Sequence, residues 1–348
     1  MSVISLHYLR LLLYRNQTEI AFDTTQLIIN RRGASVSINN GRFCVKQADQ
    51  VMFAPVFQIK SIHLHPATHL SYEVISTAIE NDIDLLFIDR KGFPIGRVWS
   101  NQFGSISSIR KNQLTFTAHK SAVAWVIDIL GRKAQGHVAV LELLGMLLER
   151  EVQPTVEQIR KYADKIKACE ISDDFSEVFA QLRGLEGSMA RVYFEQLSKL
   201  LPTDYQFAKR SKHPALDAFN CLLNYAYGML YGHCESALIH AGLDPFIGIM
   251  HRDEYNRPVL VYDFIEQFRH WADYVVCHLC LQEVVCEEFF EVEMGTYWLG
   301  PIGKRILIQS FNDYLGEKVQ VNGLSRSRLT HLQLEAQQLA SELKKFHS

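Results

Sequence analysis

The spacing of apolar residues changes near residue 100, and this change constrains the fold of the 348-residue chain more than any other feature. Before it, apolar and polar residues alternate in short runs. After it, apolar residues recur every three or four positions. Alternation predicts strands with one buried face, and the longer spacing predicts amphipathic helices. We therefore expect an α+β multidomain protein, with a small β-rich, sandwich-like N-terminal domain containing one helix, followed by an all-α C-terminal catalytic domain.

The N-terminal domain is predicted over residues 1–100, and its strongest local signal is a β-hairpin. Ala34–Ile38 alternates, Asn39–Gly41 supplies a turn, and Phe43–Val45 alternates on the return. Asn-Gly is favoured in two-residue hairpin loops because both positions need positive φ. Ser71–Asn81 has helical spacing with Ser71 as N-cap. Further strands are predicted over 51–57, 59–64 and 85–89, the last followed by a turn at Arg90–Gly92.

Residues 101–112, NQFGSISSIRKN, are polar and rich in Gly and Ser, and they predict a linker. The helical domain is expected from 113 to 348. Within it, Pro202, Pro214 and Pro245 separate helices, and Gly242 offers a helix stop.

Composition limits the location and the partners of the chain. The hydrophobic fraction of 48% is ordinary for a soluble globular protein, and a net charge of −2 means that any DNA contact must come from local basic patches. Seven scattered cysteines, the lack of a secretory leader and the lack of a long uncharged apolar run predict a cytoplasmic protein that does not enter a membrane.

Three segments of the helical half place polar residues among apolar ones. Glu186 stands between Gly184 and Gly187, just before an apolar helix is predicted to begin; the alternative is a surface glutamate near a helix N-terminus. His251 ends a short apolar run and is followed by a charged turn; the alternative is a packed or surface histidine.

The third segment contains Asp263 and Glu266, which share one face of a helix at i and i+3. Two carboxylates among apolar neighbours repel each other and cost desolvation energy unless a cation joins them. The alternative is a solvated edge on which Arg269 pairs with Glu266.

Together these residues suggest one metal site. Carboxylates and one imidazole form an oxygen-dominated donor set suited to Mg²⁺ or Mn²⁺. Such an ion can activate a hydroxyl and neutralise charge on a phosphodiester. Competing motifs are weak: there is no GxSxG and no Walker loop, and Cys277 and Cys280 are spaced as buried small residues rather than as a zinc site.

Four motifs follow one another along the helical half: G-L-E-G with A-R-x-Y at 184–193, R-x-x-x-P-x-x-D-x-x-N at 210–220, G-L-D-P-x-x-G-x-x-H at 242–251, and D-x-x-E-x-x-R at 263–269. In order and spacing they resemble the CRISPR-associated integrase family, the universal adaptation subunit that inserts new spacers. The resemblance covers nearly the whole chain, with specific motifs only in the C-terminal half. Ala215, Phe219 and Cys221 depart from the common pattern without removing a chemical group.

The resemblance implies that Glu186, His251 and Glu266 hold the metal and that Asp263 stands beside them as a catalytic residue, which either supports a ligand or binds a second ion. It also implies that Arg191 and Asn220 support the site. The family's partners are double-stranded DNA (prespacer and CRISPR repeat), a second copy joined through the N-terminal domain, and a small ferredoxin-like adaptation protein.

We expect the basic cluster of Lys209, Arg210 and Lys212 to contact DNA; the alternative is that these residues form an ordinary solvated surface. The expected function is metal-dependent DNA endonuclease and integrase activity, by attack of a 3′-hydroxyl on the CRISPR array. Two alternatives remain at this stage: a structure-specific repair nuclease or mobile-element integrase, and a non-catalytic DNA-binding scaffold.

Overall fold

The computed structural model describes residues 26–29, 33–47, 50–89, 94–98, 107–172, 174–251 and 257–346. The chain divides into two compact units, Met1–Gln102 and Phe103–Ser348. Each unit has its own apolar core. The predicted class, a β-rich N-terminal part followed by a helical C-terminal part, is confirmed.

The described residues of the first unit form two four-stranded sheets and the helix α1 (Tyr72–Glu80). Its strands are β1 (Gln26–Ile29), β2 (Ser35–Asn39), β3 (Arg42–Gln47), β4 (Gln50–Pro55), β5 (Ser61–Leu64), β6 (His69–Leu70), β7 (Asp84–Ile88) and β8 (Pro94–Arg97). One sheet has the order β1-β5-β7-β8 and is parallel except for β8; the other has the order β4-β3-β2-β6, with β6 parallel to β2.

The predicted hairpin is confirmed by the pairing of β2 with β3. Asn39 lies opposite Arg42, so the loop is Asn40 and Gly41, both with positive φ. The predicted helix is also confirmed, although the Ser71 hydroxyl makes no capping bond. The predicted turn at Arg90–Gly92 lies outside the described residues.

The second unit is mostly helical. Its helices are α2 (Ser107–Thr117), α3 (Lys120–Leu148), α4 (Gln153–Lys167), α5 (Phe175–Leu200), α6 (Ala218–His240), α7 (Val259–Ile265), α8 (Arg269–Leu281), α9 (Pro301–Gly316) and α10 (Arg328–Lys345). Helix α6 ends at His240, and Gly242 follows with a φ of 84°, as predicted for a helix stop.

Two parts of this unit differ from the sequence predictions. The predicted linker reached residue 112, but helix α2 already begins at Ser107, because Ile109, Gln113 and Phe116 form a buried face that the Ser-rich composition hides. The unit is also not purely helical: β9 (Phe290–Glu293) pairs with β10 (Thr296–Leu299), and β11 (Lys318–Val321) pairs with β12 (Leu324–Ser327). The β11–β12 hairpin turns on Asn322 and Gly323, the Asn-Gly signal that predicted the β2–β3 turn, whereas the β9–β10 hairpin turns on Met294 and Gly295.

Helix α3 lies at the centre of the second unit, where it contacts α4, α5 and α8. Helices α7 and α8 are joined by the 3₁₀ turn Glu266–Phe268, which also packs on α3. This arrangement brings the predicted site residues of α5 and of the α7–α8 junction to the same helix. Within the described parts of the chain, no helix combines the length and apolarity that a membrane crossing requires.

Candidate active site

Glu186 lies in the middle of a helix. The prediction that the helix begins only after Gly187 is wrong, because Phe175–Leu200 is helical throughout. Each helical glycine costs about 1 kcal/mol relative to alanine, and burial of the apolar face that includes Met189 outweighs the cost of Gly184 and Gly187. The Glu186 side chain is 22% exposed, so it can reach both the protein interior and solvent.

Glu266 is buried and is held by two cations. Lys133 Nζ donates to its Oε2 at 2.5 Å, and Arg269 Nε donates to its Oε1 at 2.7 Å. Burial opposes ionisation, but the positive charges of Arg269 and Lys133 outweigh it and lower the pKa of Glu266 below its ordinary value. The carboxylate therefore stays ionised in the interior. The Arg269–Glu266 pair that the sequence left as an alternative is present, but at a buried site rather than at a solvated edge.

Lys133 of α3 joins Glu266 to Glu186, since its ammonium donates to Glu186 Oε1 as well. Burial would lower the pKa of Lys133, but the two carboxylates raise it, so the amine is charged. Sequence reasoning missed this residue. The available signal is that Lys133 lies between Leu130 and Ala134 on the buried stripe of α3, where a lysine requires an acidic partner.

Asp263 shapes the loop that carries His251, here called the histidine loop (Ile249–His251). Its Oδ2 accepts the amides of Ile249 at 2.7 Å and Met250 at 3.1 Å, and its Oδ1 accepts the amide of His251 at 3.1 Å. Oδ1 also lies 2.6 Å from His251 Nδ1. Asp263 thus orients the imidazole and leaves Nε2 as the nitrogen that can meet a ligand.

The histidine loop is fixed to both helices that carry the other predicted ligands. Arg183, three residues before Glu186 on α5, donates from Nη1 to the Met250 carbonyl at 2.6 Å. Asp263, three residues before Glu266, binds the loop from the other side. The loop position therefore depends on the same two helices as the paired glutamates.

The predicted ligands form two pairs rather than one cage. Glu186 and Glu266 meet on Lys133, and His251 is bound to Asp263. Among the residues that the structure describes, no three His, Cys, Asp or Glu side chains are arranged closely enough to share one metal ion. Asp263 stands behind His251 and does not face the glutamates with it.

A second buried carboxylate, Asp273, lies behind Arg269. The Arg269 guanidinium lies 4.7 Å from the ring centre of Tyr227, whose hydroxyl donates to Asp273 at 2.6 Å. Tyr193 donates to the other oxygen of Asp273 at 3.0 Å. Burial raises the pKa of Asp273 to about 6, although the two hydroxyl bonds oppose the shift. Sequence reasoning missed Asp273; an aspartate on the same helix face as Val276 was the signal.

Asn220 organises the basic segment rather than touching the carboxylates. Its Nδ2 donates to the Lys209 carbonyl at 3.0 Å and to Asp217 Oδ2 at 2.6 Å, and its Oδ1 accepts from Arg210. The Arg210 guanidinium also packs 5.4 Å from the ring centre of Phe194. Arg210, which was expected to contact DNA, therefore makes its contacts within the protein.

The other predicted basic residues differ in their position relative to the site. Lys209 and Lys212 are exposed. Partial burial of the side chain and the nearby positive charge of Arg269 lower the pKa of Lys212. Lys212 therefore lies close enough to Arg269 to interact with it electrostatically. Arg191 is exposed and follows Glu186 by five residues, so it points about 140° around α5 from Glu186. The helix geometry separates Arg191 from the carboxylates that it was expected to support.

Comparison with known proteins identifies close relatives of the chain. The family model described as CRISPR associated protein Cas1 matches residues 27–313. A curated relative, the CRISPR-associated endonuclease Cas1 1 of Archaeoglobus fulgidus, is 26% identical over 334 residues, which cover 92% of this chain and 96% of the relative.

Solved structures show the same fold. A casposase bound to integration product matches with a TM-score of 0.79 at 21% identity, covering 92% of this chain and 90% of the casposase chain. A chain of a Cas6-RT-Cas1–Cas2 complex matches with a TM-score of 0.73 at 23% identity, covering 94% of this chain and 36% of that one.

Proposed function

Since the chain belongs to the Cas1 family, it is a DNA endonuclease and integrase of CRISPR adaptation, and we propose that Glu186, His251 and Glu266 form its reaction centre. The observation that carries this assignment is the convergence of Glu186 and Glu266 from separate helices on one positive group. A purely structural glutamate pair would have no need for a histidine loop fixed to both of the same helices.

The donor set of the reaction centre suits a divalent cation, Mg²⁺ or Mn²⁺. Two carboxylates supply hard oxygen ligands, and an imidazole whose Nδ1 is fixed by Asp263 has the usual arrangement of a metal-binding histidine. Glu186 and Glu266 would hold the ion through oxygen, and His251 would hold it through Nε2. When bound, the ion supplies positive charge that stabilises a phosphodiester during displacement.

The remaining residues of the site keep these donors in place. Asp263 fixes both the backbone and the ring of His251, so it acts as a positioning residue. Arg269 helps to keep Glu266 ionised in a buried setting, where an unpaired carboxylate costs several kcal/mol.

The proposed reaction is a phosphodiester exchange. The 3′-oxygen of a prespacer strand attacks a phosphodiester at the border of the CRISPR repeat and loses its proton. One P–O bond forms as another breaks, and the repeat strand leaves with a 3′-oxygen that takes up a proton. Bond number is conserved, so no ATP is needed, and water in place of the 3′-hydroxyl gives endonuclease activity at the same site.

The proposed partners follow the family. Double-stranded DNA would contact exposed Lys209 and Lys212 beside the reaction centre. We further propose a homodimer formed through the N-terminal unit and a small ferredoxin-like adaptation partner. The resemblance to one chain of a complex named for Cas1 and Cas2 supports such an assembly.

The test is an integration assay with duplexes that carry 3′-hydroxyl ends, a supercoiled repeat plasmid and the adaptation partner, with and without Mn²⁺. Glu186→Gln should abolish joined product while leaving DNA binding close to that of the unmodified protein. Asp263→Asn should retain activity reduced by about 10- to 100-fold, because it disturbs the orientation of a ligand rather than removing one.

The alternatives predict different results in the same assay. A repair nuclease would cut DNA but form no joined product. A non-catalytic scaffold would lose nothing on Glu186→Gln. The first result would contradict the proposed phosphodiester exchange, and the second would remove the assignment of the reaction centre.

A further inference from the structure

Lys133 occupies the place that a cation shared by Glu186 and Glu266 would take. Its ammonium donates to one oxygen of each carboxylate, and Arg269 donates to the second oxygen of Glu266. The two carboxylates and the two cations therefore balance one another's formal charge.

The ammonium of Lys133 is joined to the helix backbone by a long, flexible side chain. Its main chain belongs to the buried stripe of α3, while the four-carbon side chain has rotatable bonds throughout. The Glu266 side chain is 8% exposed and that of Glu186 is 22% exposed, so the cluster is more open to solvent on the side of Glu186.

We propose that Lys133 is a positioning residue of the reaction centre, an internal counter-ion that holds Glu186 and Glu266 together in the metal-free protein and gives way to a divalent cation. This inference rests on the proposed function, because it requires the cation to bind these carboxylates. An ammonium and a divalent ion cannot both lie between the same two carboxylates, since their charges repel at that range. Cation binding therefore moves the ammonium outward on the side of Glu186.

The counter-ion and the metal compete for one place, so removing the counter-ion should change metal affinity and metal-free stability in opposite directions. In Lys133→Met, buried Glu266 and half-buried Glu186 lose a shared partner, and the melting temperature in EDTA should fall. Mn²⁺ then binds without a competitor, and its dissociation constant should decrease by about tenfold. Saturating Mn²⁺ should restore most of the lost melting temperature.

The experiment measures Mn²⁺ binding by electron paramagnetic resonance of the free ion, and melting by circular dichroism, on the purified full chain at fixed pH. Lys133→Arg keeps the charge and should retain both the metal-free melting temperature and the weaker affinity. Lys120→Met, an exposed lysine at the start of the same helix, is the matched control and should change neither.

A double variant separates charge from packing. If Lys133→Met is unstable because the carboxylates repel, adding Glu186→Gln should raise its melting temperature in EDTA. If the loss is one of side-chain packing, Glu186→Gln should bring no recovery, and the inference is overturned. If Lys133→Met alone does not fold, a double variant that folds supports the counter-ion role, and a double variant that also fails to fold overturns it.

The outcomes distinguish this inference from the proposed function. If Glu186→Gln abolishes Mn²⁺ binding while Lys133→Met binds the ion no more tightly than the unmodified protein, the reaction centre stands and the counter-ion role is wrong. If Glu186→Gln binds Mn²⁺ normally, the proposed metal site itself fails, and the role of Lys133 fails with it.

Discussion

Glu266 and Asp273, two carboxylates seven residues apart, are both buried, but their pKa values are shifted in opposite directions. Lys133 and Arg269 lower the pKa of Glu266, whereas Asp273, bonded to two tyrosine hydroxyls, has a pKa raised to about 6. Burial alone therefore does not decide the charge of an interior acid; its partners do. A carboxylate paired with a cation can exchange that cation for another, while one bonded to hydroxyls has no cation to exchange.

The two regions share Arg269. Its Nε binds Glu266, and the face of its guanidinium packs on Tyr227, which donates to Asp273. The region around Glu266 carries the proposed chemistry, and the region around Asp273 supports the arginine from behind. The comparison therefore separates the proposed cation site around Glu266 from a region around Asp273 that supports the fold.

The largest expected effect is the loss of activity in Glu266→Gln. It removes a ligand and leaves Lys133 and Arg269 without their shared carboxylate, so integration should fall by about a thousandfold and the free energy of unfolding by about 3 kcal/mol. Asp273→Asn is the matched comparison and should leave the Mn²⁺ dissociation constant unchanged. Integration assays and Mn²⁺ titration check both, and equal loss of Mn²⁺ binding in the two variants would abolish the distinction.

The second prediction concerns the pH dependence of stability that Asp273 causes. Its folded pKa of about 6 lies above its ordinary value of 3.8, so the folded state binds the proton more tightly. Stability therefore falls as pH rises from about 4 to about 6, by about 3 kcal/mol over the whole window and by roughly 1 kcal/mol between pH 5 and pH 7.

Asp273→Asn should remove this component. Urea unfolding at pH 5 and pH 7 measures it as the difference between the variant and the unmodified protein. Asp164→Asn, at an exposed aspartate of α4, serves as the control and should keep the original dependence. A pH dependence that survives in Asp273→Asn would show that the tyrosine hydroxyls keep this carboxylate ionised.

The sequence predicted the elements better than it predicted the partners of the polar residues. Asn40 and Gly41 predicted their hairpin correctly because the backbone conformation of a two-residue loop depends mainly on the loop residues themselves. The sequence prediction left Glu186 outside the helix because Gly184 and Gly187 weaken local helix propensity. The segment is nevertheless helical, because its apolar face is buried against distant parts of the chain.

The candidate site residues were predicted from the family motifs, but the motifs did not predict their geometry. Lys133 comes from a helix that no motif covers, and its role depends on contacts 53 and 133 residues away in the chain. Asp263 and Glu266 share a helix face in sequence, but the turn tightens at Glu266 and gives each a different set of partners. The spacing of apolar residues indicates which helix face is buried, but it does not indicate which residues contact that face.

The third prediction distinguishes basic residues proposed to contact DNA from a basic residue that packs within the protein. Lys212 lies in the field of Arg269, whereas Arg210 packs on Phe194 and Tyr227. Replacing Lys209 and Lys212 with glutamine should weaken DNA binding for all sequences alike and reduce the slope of log affinity against log salt by about 1 to 2.

Arg210→Gln should instead lower the melting temperature, because a packed guanidinium is lost. Lys167→Gln, at an exposed lysine at the end of α4, controls for net charge. Filter binding across a salt series gives the slopes. Loss of binding for one DNA sequence only would mean that the lysines read bases, and an unchanged melting temperature in Arg210→Gln would move that residue into the DNA-contacting group.

The smallest effect is expected at the two glycines that flank Glu186. Gly184 and Gly187 are exposed, and a Cβ at either position would meet no atom within 4 Å, so the fold itself does not need them. Alanine should raise the free energy of unfolding by about 0.5–1 kcal/mol at each position. We expect DNA to approach Glu186 across these glycines, so the added methyl groups should lower prespacer affinity by a few fold. Gly232→Ala, a helical glycine of α6 with equally clear surroundings, should give the stability gain without the loss. If all three variants bind DNA alike, the helix beside Glu186 does not lie against the backbone, and the approach of DNA must be sought on the side of Lys212.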